Sequence, residues 1–202
     1  MSSTGMNAWR EHSGFVAWPT LGLAAAAVGL SALAWALRLG WGLPLWALWP
    51  LPFLASWLAF TVCHEASHGN LGGARHPRLD SAVGWVMAWW LLAPYAAFQA
   101  IHLRHHAAVN EADRDPDHLV AGPFGLGLLG RCVAIVPWYW WFFLGPLCRE
   151  SASSRARRPV VVAGGLAILA ALATSAATGW WPEVLLLWVL PSWLTDAGLA
   201  FA

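Results

Sequence analysis

Five of the eight histidines in this chain fall in two five-residue windows. The first is His64-Glu65-Ala66-Ser67-His68 and the second is His102-Leu103-Arg104-His105-His106. On a helix, residues three or four apart lie one above the other. His64 and His68 therefore share one face, and His102, His105 and His106 share another. Imidazole is the commonest metal ligand near neutral pH. A single histidine is ordinarily a hydrogen-bonded polar group. Three on one face at the end of an apolar run carry a desolvation cost that a bound metal or anion would offset. Histidine ligation suits iron, copper or zinc, and ligation free of cysteine argues against an iron–sulfur cluster. Five imidazoles exceed one tetrahedral zinc, so two metals are implied. Two irons a few ångströms apart can bind and reduce O2 between them.

Composition sets what must hold these residues. Of 202 residues, 59% are hydrophobic and 10% are charged. That leaves too little polar surface to wrap a water-soluble globule. A soluble α/β enzyme and a disordered tail are excluded. The net charge of +1 gives no basic excess for a nucleic-acid partner. What remains is an integral protein of the lipid bilayer. Many of the 17 Trp stand near the ends of apolar runs, where aromatic belts form. Cys63, Cys132 and Cys148 are widely spaced and form no CxxC, so no zinc ribbon, redox pair or disulfide framework is expected.

Six apolar runs follow, at residues 17–37, 43–63, 83–100, 124–147, 160–178 and 183–202. Residues 38–42 and 179–182 make tight turns between the first and last pairs. The chain has no Lys, so Arg alone sets orientation. Arg75, Arg78, Arg104 and Arg114 follow the second run; Arg149, Arg155, Arg157 and Arg158 precede the fifth. The positive-inside rule places all of these on the cytoplasmic side. An even number of crossings must then separate the second and fifth runs. The simplest arrangement has runs three and four lying in the interface or dipping in and returning. The expected fold is all-α and integral to the membrane. It has about four transmembrane helices as two hairpins, plus interfacial or re-entrant helices, with both histidine windows on the cytoplasmic face. Six spans would put the windows on opposite faces. Ala32-Leu33-Ala34 mimics a signal cleavage site, but run one is long and reads as a retained helix. Residues 1–202 read as one domain.

HxxxH followed some 34 residues later by HxxHH resembles the membrane fatty acid desaturase superfamily. The stretch from His102 to Asn110, continuing to Asp115-Pro116-Asp117-His118, resembles most the desaturase-like β-carotene ring hydroxylases, which carry HxxHHxxxN…DPDH. The resemblance implies that His64, His68, His102, His105 and His106 bind a non-haem diiron centre, with O2 as co-substrate. It implies hydroxylation or desaturation of a lipophilic substrate, a carotenoid or a fatty acyl chain. It implies an external electron donor such as a ferredoxin, and a multi-pass place in the plasma (inner) membrane. Asn110, one turn beyond His106, could hold water or substrate or cap a helix end. Glu65, His118 and Asp196 are candidates to support the ligands. The family pattern also has a third HxxHH, which this sequence lacks. Run six is still apolar at its last residue, so the ligand set is expected to be C-terminally incomplete.

Two rival functions are concrete. The first window also spells HExxH, the zinc protease motif, with Glu65 as base and Asp196 as a distal third ligand. That reading leaves the second window unexplained. A non-catalytic metal-binding membrane protein is the other. Gly125-Leu126-Gly127-Leu128-Leu129-Gly130 spells GxGxxG but has no preceding strand, so close helix packing is expected there. Asp113, Asp115 and Asp117 alternate like a calcium loop, yet His118 stands where the turn glycine belongs and Phe124 where the last carboxylate belongs. These acids are expected to orient histidine or Arg104, or to form a solvated loop. The basic segment 149–158 is expected to set orientation and touch anionic lipid, or to dock an acidic donor. His12 and His76 have no partner in the sequence.

Overall fold

The computed structural model describes residues 16–73 and 75–200, so His12 lies outside it. Helix α1 spans Trp18–Trp41 and α2 spans Pro50–Ser67, led by a short turn at Leu45–Leu48. Next come α3 (Pro77–Trp90) and α4 (Tyr95–Ala107). A 3-10 turn at Pro116–Val120 precedes α5 (Leu126–Phe142), which continues through a π-turn at Phe143–Leu147 into Cys148–Glu150. Helix α6 is Ala152–Ala177. The last helix, α7 (Leu190–Leu199), is led by Trp181–Val184 and a π-turn at Leu185–Val189. No strand occurs among the described residues.

Local sequence explains these boundaries. Pro50 and Pro52 sit in the first turn of α2, where a backbone N–H has no helical partner to lose. Gly42 adopts a φ of +63° and returns its N–H to the Arg38 carbonyl, closing α1. At 1.5 Å per residue, 24 residues make α1 about 36 Å long. Trp18 and Trp41 stand exposed at its two ends, as an aromatic belt requires. Helix α2 buries a stripe of small residues, Ala55, Ala59, Cys63 and Ala66. Small side chains let neighbouring backbones approach closely, which drives helix association where apolar burial gains nothing against lipid. Ala27, Met87 and Ala88 pack into the same cluster.

Helices α3 and α4 meet at 94°, with Leu92 at a φ of +57° and Pro94 starting α4. Freed backbone groups at such a bend need partners in an apolar setting. The Trp90 carbonyl receives Trp188 Nε1 at 2.8 Å and Ser192 Oγ at 2.7 Å. A Cβ on Gly84 would meet the Tyr95 ring at 2.3 Å, so only glycine lets the ring cross α3.

Contacts sort the ends of the bundle. Arg38 pairs with Glu183 at 2.8 Å and Trp35 meets Trp180, so both hairpin turns lie together. Arg104 pairs with Glu150 at 2.6 Å and Arg157 donates to Gln99 Oε1 at 3.0 Å, so the arginine-bearing segments also lie together. The α3–α4 pair starts and ends among these arginines, and its bend reaches the middle of residues 181–199. Run three thus belongs to a sharply bent helix pair, the geometry of a broken span or of a re-entrant loop.

Four helices are long and apolar enough to cross a membrane: Trp18–Trp41, Leu45–Ser67, Leu126–Glu150 and Ala152–Ala177. The number matches the expectation, but the membership differs. Run four is in this set and run six, which carries Glu183 and Asp196, is not. The contacts of run four nevertheless hold it near the histidines. Trp138 Nε1 donates to the Pro116 carbonyl, Tyr139 Oη donates to Asp117, and Glu150 holds Arg104. Run six passes from the Glu183–Arg38 pair to Asp196, which lines a cavity with His102. The glycines of GxGxxG do not make the close packing expected of them. A Cβ on Gly125 or Gly130 would meet nothing within 4 Å. Gly84→Val should cost about 1–3 kcal/mol of stability by overpacking against Tyr95. The measurement is the denaturation midpoint in detergent, with Gly130→Val as the neutral comparison.

Candidate metal centre

Both histidine windows occupy helix C-termini. His64 lies in the last turn of α2 and His68 caps it; His105 and His106 lie in the last turn of α4. The partial negative charge of a helix C-terminus favours a cation nearby. Gln99 Nε2 donates to the Ser67 carbonyl at 3.2 Å and ties the two ends together.

Four imidazoles converge. One ligand nitrogen from each of His64, His68, His102 and His106 lies within 4.8 Å of all the others. His102 Nε2 is 3.0 Å from His68 Nε2 and 3.1 Å from His106 Nε2. The rings of His64 and His102 are 4.4 Å apart. A neutral imidazole has one donor and one acceptor nitrogen. One nitrogen facing two others at this distance is a donor set that a shared cation satisfies, so the residues fit a metal.

His105 stands apart from these four. Its Nδ1 is 2.8 Å from Asp115 Oδ1 and 3.2 Å from Asp117 Oδ2, forming a second cluster. Burial alone would raise the Asp115 carboxyl. The hydrogen bonds from His105 and from the Asp117 and Asn110 amides outweigh it and hold the group below the ordinary carboxylate range. Burial raises Asp117 instead, against the pull of the Tyr139 hydroxyl and His105. The ionised Asp115 accepts, so His105 donates through Nδ1 and keeps Nε2 for a metal. Asp115 and Asp117 thus orient His105, one of the roles expected for these acids, while Asp113 joins neither cluster. His64 uses the same device. Its Nδ1 is 2.9 Å from Glu65 Oε1, and Asn70 Nδ2 donates to Glu65 Oε2 at 2.8 Å. A carboxylate behind an imidazole fixes its tautomer and raises its basicity.

The remaining candidates are placed as follows. Asn110 does not continue the His106 face, because α4 stops at Ala107. It adopts a φ of +63°, a conformation asparagine tolerates, and its backbone N–H donates to Asp115 Oδ2 at 2.8 Å. Asp196 and His118 join neither metal-competent cluster among the described residues. Asp196 lines a cavity of about 70 Å³ together with Phe98, Ile101, His102 and Tyr139. Phe98 stacks on His102. The sequence reading missed this wall. The one available signal was Tyr139 within an apolar run, where a hydroxyl needs a partner.

The family model for fatty acid desaturases matches residues 44–202. The chain belongs to the fatty acid desaturase family. An omega-3 fatty acid desaturase, chloroplastic, of Brassica napus is 32% identical over 35% of this chain and 18% of that relative. A ferredoxin sn-2 acyl-lipid omega-3 desaturase, chloroplastic, of Arabidopsis thaliana is 31% identical over 35% and 16%. A cytochrome b5 acyl-lipid omega-3 desaturase of the endoplasmic reticulum, also of Arabidopsis thaliana, is 31% identical over 35% and 19%. The shared stretch is thus under a fifth of each relative's length. No solved structure matches the chain.

Asp115 is buried and paired, so Asp115→Asn should cost about 2 kcal/mol at neutral pH. A depressed folded-state pKa stabilises above the ordinary value of 3.8 and is lost as pH falls through the lower folded value. The gap in denaturation midpoint between Asp115 and the Asn variant of this desaturase-family chain should close on that acid side and stay open at pH 7.

Proposed function

We propose that this desaturase-family chain carries the metal-binding face of a membrane oxidase that uses O2 to desaturate a lipid hydrocarbon chain. One observation carries the reading: four imidazoles converge, and one of them, His102, also lines a mainly apolar cavity. His64, His68, His102 and His106 would hold non-haem iron, with His105 offered by Asp115 toward a second ion. Iron bound there would supply the activation of O2 that an unreactive C–H bond requires. The chain's own residues do the rest. Glu65 and Asp115 fix the imidazole tautomers. Phe60, Phe98 and Ile101 keep water from the side of the cavity next to His102.

Removing two hydrogens from a saturated carbon pair with one O2 consumes two electrons and two protons and yields two waters. The electrons come from a separate carrier. Ferredoxin and cytochrome b5 stand in the relatives' names, and the arginine-bearing end around Arg149 and Arg158 suits an acidic one-electron carrier. Its arginines favour the cytoplasmic side by the positive-inside rule, and the inner membrane is the one we propose. The relatives' names favour an acyl chain over the carotenoid ring toward which HxxHHxxxN…DPDH points, and ring hydroxylation is the second product to be sought.

The HExxH protease reading finds less support. Glu65 is held by His64 Nδ1 and Asn70, and the partners beside His64 and His68 are His102 and His106 rather than Asp196. Purified protein supplied with iron, a ferredoxin system and O2 should convert a saturated phospholipid acyl chain to an unsaturated one, read by mass spectrometry. His102→Ala should lower iron affinity at least about tenfold, the scale set by loss of a ligand's supporting partner alone. A single bound zinc unaffected by His102→Ala or His105→Ala would overturn the reading.

A further inference from the structure

The corner that leads into α5 holds a cation with no counter-charge. Arg131 stands in the second turn of that helix. Among the described residues its Nε and Nη2 atoms are buried and have no hydrogen-bond partner. No ion pair among the described residues includes it. A charged donor shielded from water and left without an acceptor is costly.

A Cβ on Gly122 would lie 3.1 Å from Arg131 Nη2, and one on Gly127 would lie 3.5 Å from Nη1. The side chain therefore points back along α5, and its guanidinium sits between the loop and the first helical turn. That is the positive end of the helix dipole, where a second positive charge is disfavoured. The first turn carries no acidic residue, and no side chain caps it. An oxyanion at this spot would answer the guanidinium and the first-turn amides together. Nε and Nη2 form one edge of the guanidinium, and their parallel N–H groups match two oxygens of one phosphate. The same corner suits a lipid surface. Phe124 is 95% exposed and Leu126 is 88% exposed. Large apolar side chains so exposed at the head of a helix in a bilayer protein enter lipid. The loop starts beside Asp117, which reaches His105, and Arg104 donates to the Arg114 carbonyl just before it. The corner thus belongs to the arginine-bearing end, at the depth of the headgroups.

We propose that Arg131 and the head of α5 hold the phosphate of a membrane phospholipid, with Phe124 and Leu126 among its acyl chains. Arg131 does not line the cavity at His102. The bound lipid is a fixed neighbour of the fold rather than a substrate, and the site does not rest on the function proposed above. Free phosphate offers the same oxygens, but it gives Phe124 and Leu126 nothing to enter. The lipid answers the charge and the apolar side chains at once.

The test is native mass spectrometry of the full chain in dodecyl maltoside, with dioleoyl phosphatidylcholine, dioleoylglycerol or inorganic phosphate added in turn. Phosphatidylcholine carries a phosphate but no net charge, which removes general attraction to a basic surface. It should bind about tenfold tighter than dioleoylglycerol, which has the same chains and no phosphate. Arg131→Gln should abolish that preference. Arg131→Lys keeps the charge but not the paired edge, and should lose most of it. Gly127→Leu keeps the arginine and crowds its guanidinium, so it should weaken the preference in the same way and serves if Arg131→Gln does not fold. Arg158→Gln removes the same charge elsewhere and should leave the preference unchanged, as should His102→Ala. Equal retention of the two lipids would overturn the proposal, and so would an unchanged preference in Arg131→Gln or Gly127→Leu. Displacement of the lipid by equimolar inorganic phosphate would overturn it too, because the site would then read a free anion.

Discussion

His102 Nε2 faces two other imidazole nitrogens at about 3 Å, and the placement of the helices serves that contact. Two helices must end at one spot with their histidine faces opposed. Helix α2 arrives there by burying small residues against α1 and α3. Helix α4 arrives by a different route, through a sharp bend whose freed carbonyl is held by Trp188 and Ser192. Neither helix alone could bring four imidazoles within 4.8 Å of one another. Both ends also direct their dipoles at the cluster, so backbone and side chains favour a cation together.

The supporting carboxylates repeat one solution with different chain geometry. Glu65 is adjacent to its histidine, whereas Asp115 lies ten positions beyond His105 and returns to it through the loop after α4. The loop can do this because Asn110 takes a left-handed turn and gives its amide to the same carboxylate. Asp117 then connects His105 to Tyr139 on α5 at 2.8 Å. The second window is thereby fixed to a third helix, and the cavity wall and the metal-facing side chains become parts of one hydrogen-bonded unit.

Much of this was legible in the residues. The all-helical membrane fold follows from composition, and the pairing of His64 with His68 follows from helical spacing. Arginine placement alone brought the two basic segments to one end, where Arg104 and Glu150 meet. Other features were out of reach. Spacing puts His105 on the same face as His102 and His106, but a side chain with two carboxylates in reach turns toward them. The divergence is a contest between ring orientation and hydrogen bonding, which periodicity does not contain. The extent of α4 was misjudged at Asn110 because three polar residues, Asn110, Glu111 and Asp113, can cap a helix or continue its face equally well. Run four is apolar enough to span, and the contacts of Trp138, Tyr139 and Glu150 reveal that it is held at the histidine end.

The bilayer composition and the histidine site are linked more closely than by location. A metal-competent cluster in water needs a built pocket to keep solvent away from a reactive oxidant. Here the wall is made by residues the membrane already demands. Phe60 and Phe98 pack edge to face, Phe98 stacks on His102, and Ile101 is buried beside it. These side chains serve helix packing and site exclusion at once. The polar atoms near the cavity are correspondingly few, and two of them, on Tyr139 and Asp117, are hydrogen-bonded to each other. Apart from these and the His102 and Asp196 side chains, the lining is apolar, and a polar group brought against that part of it would lose its water partners. The scarcity of polar residues that marks the chain as a membrane protein therefore also restricts what can approach His102.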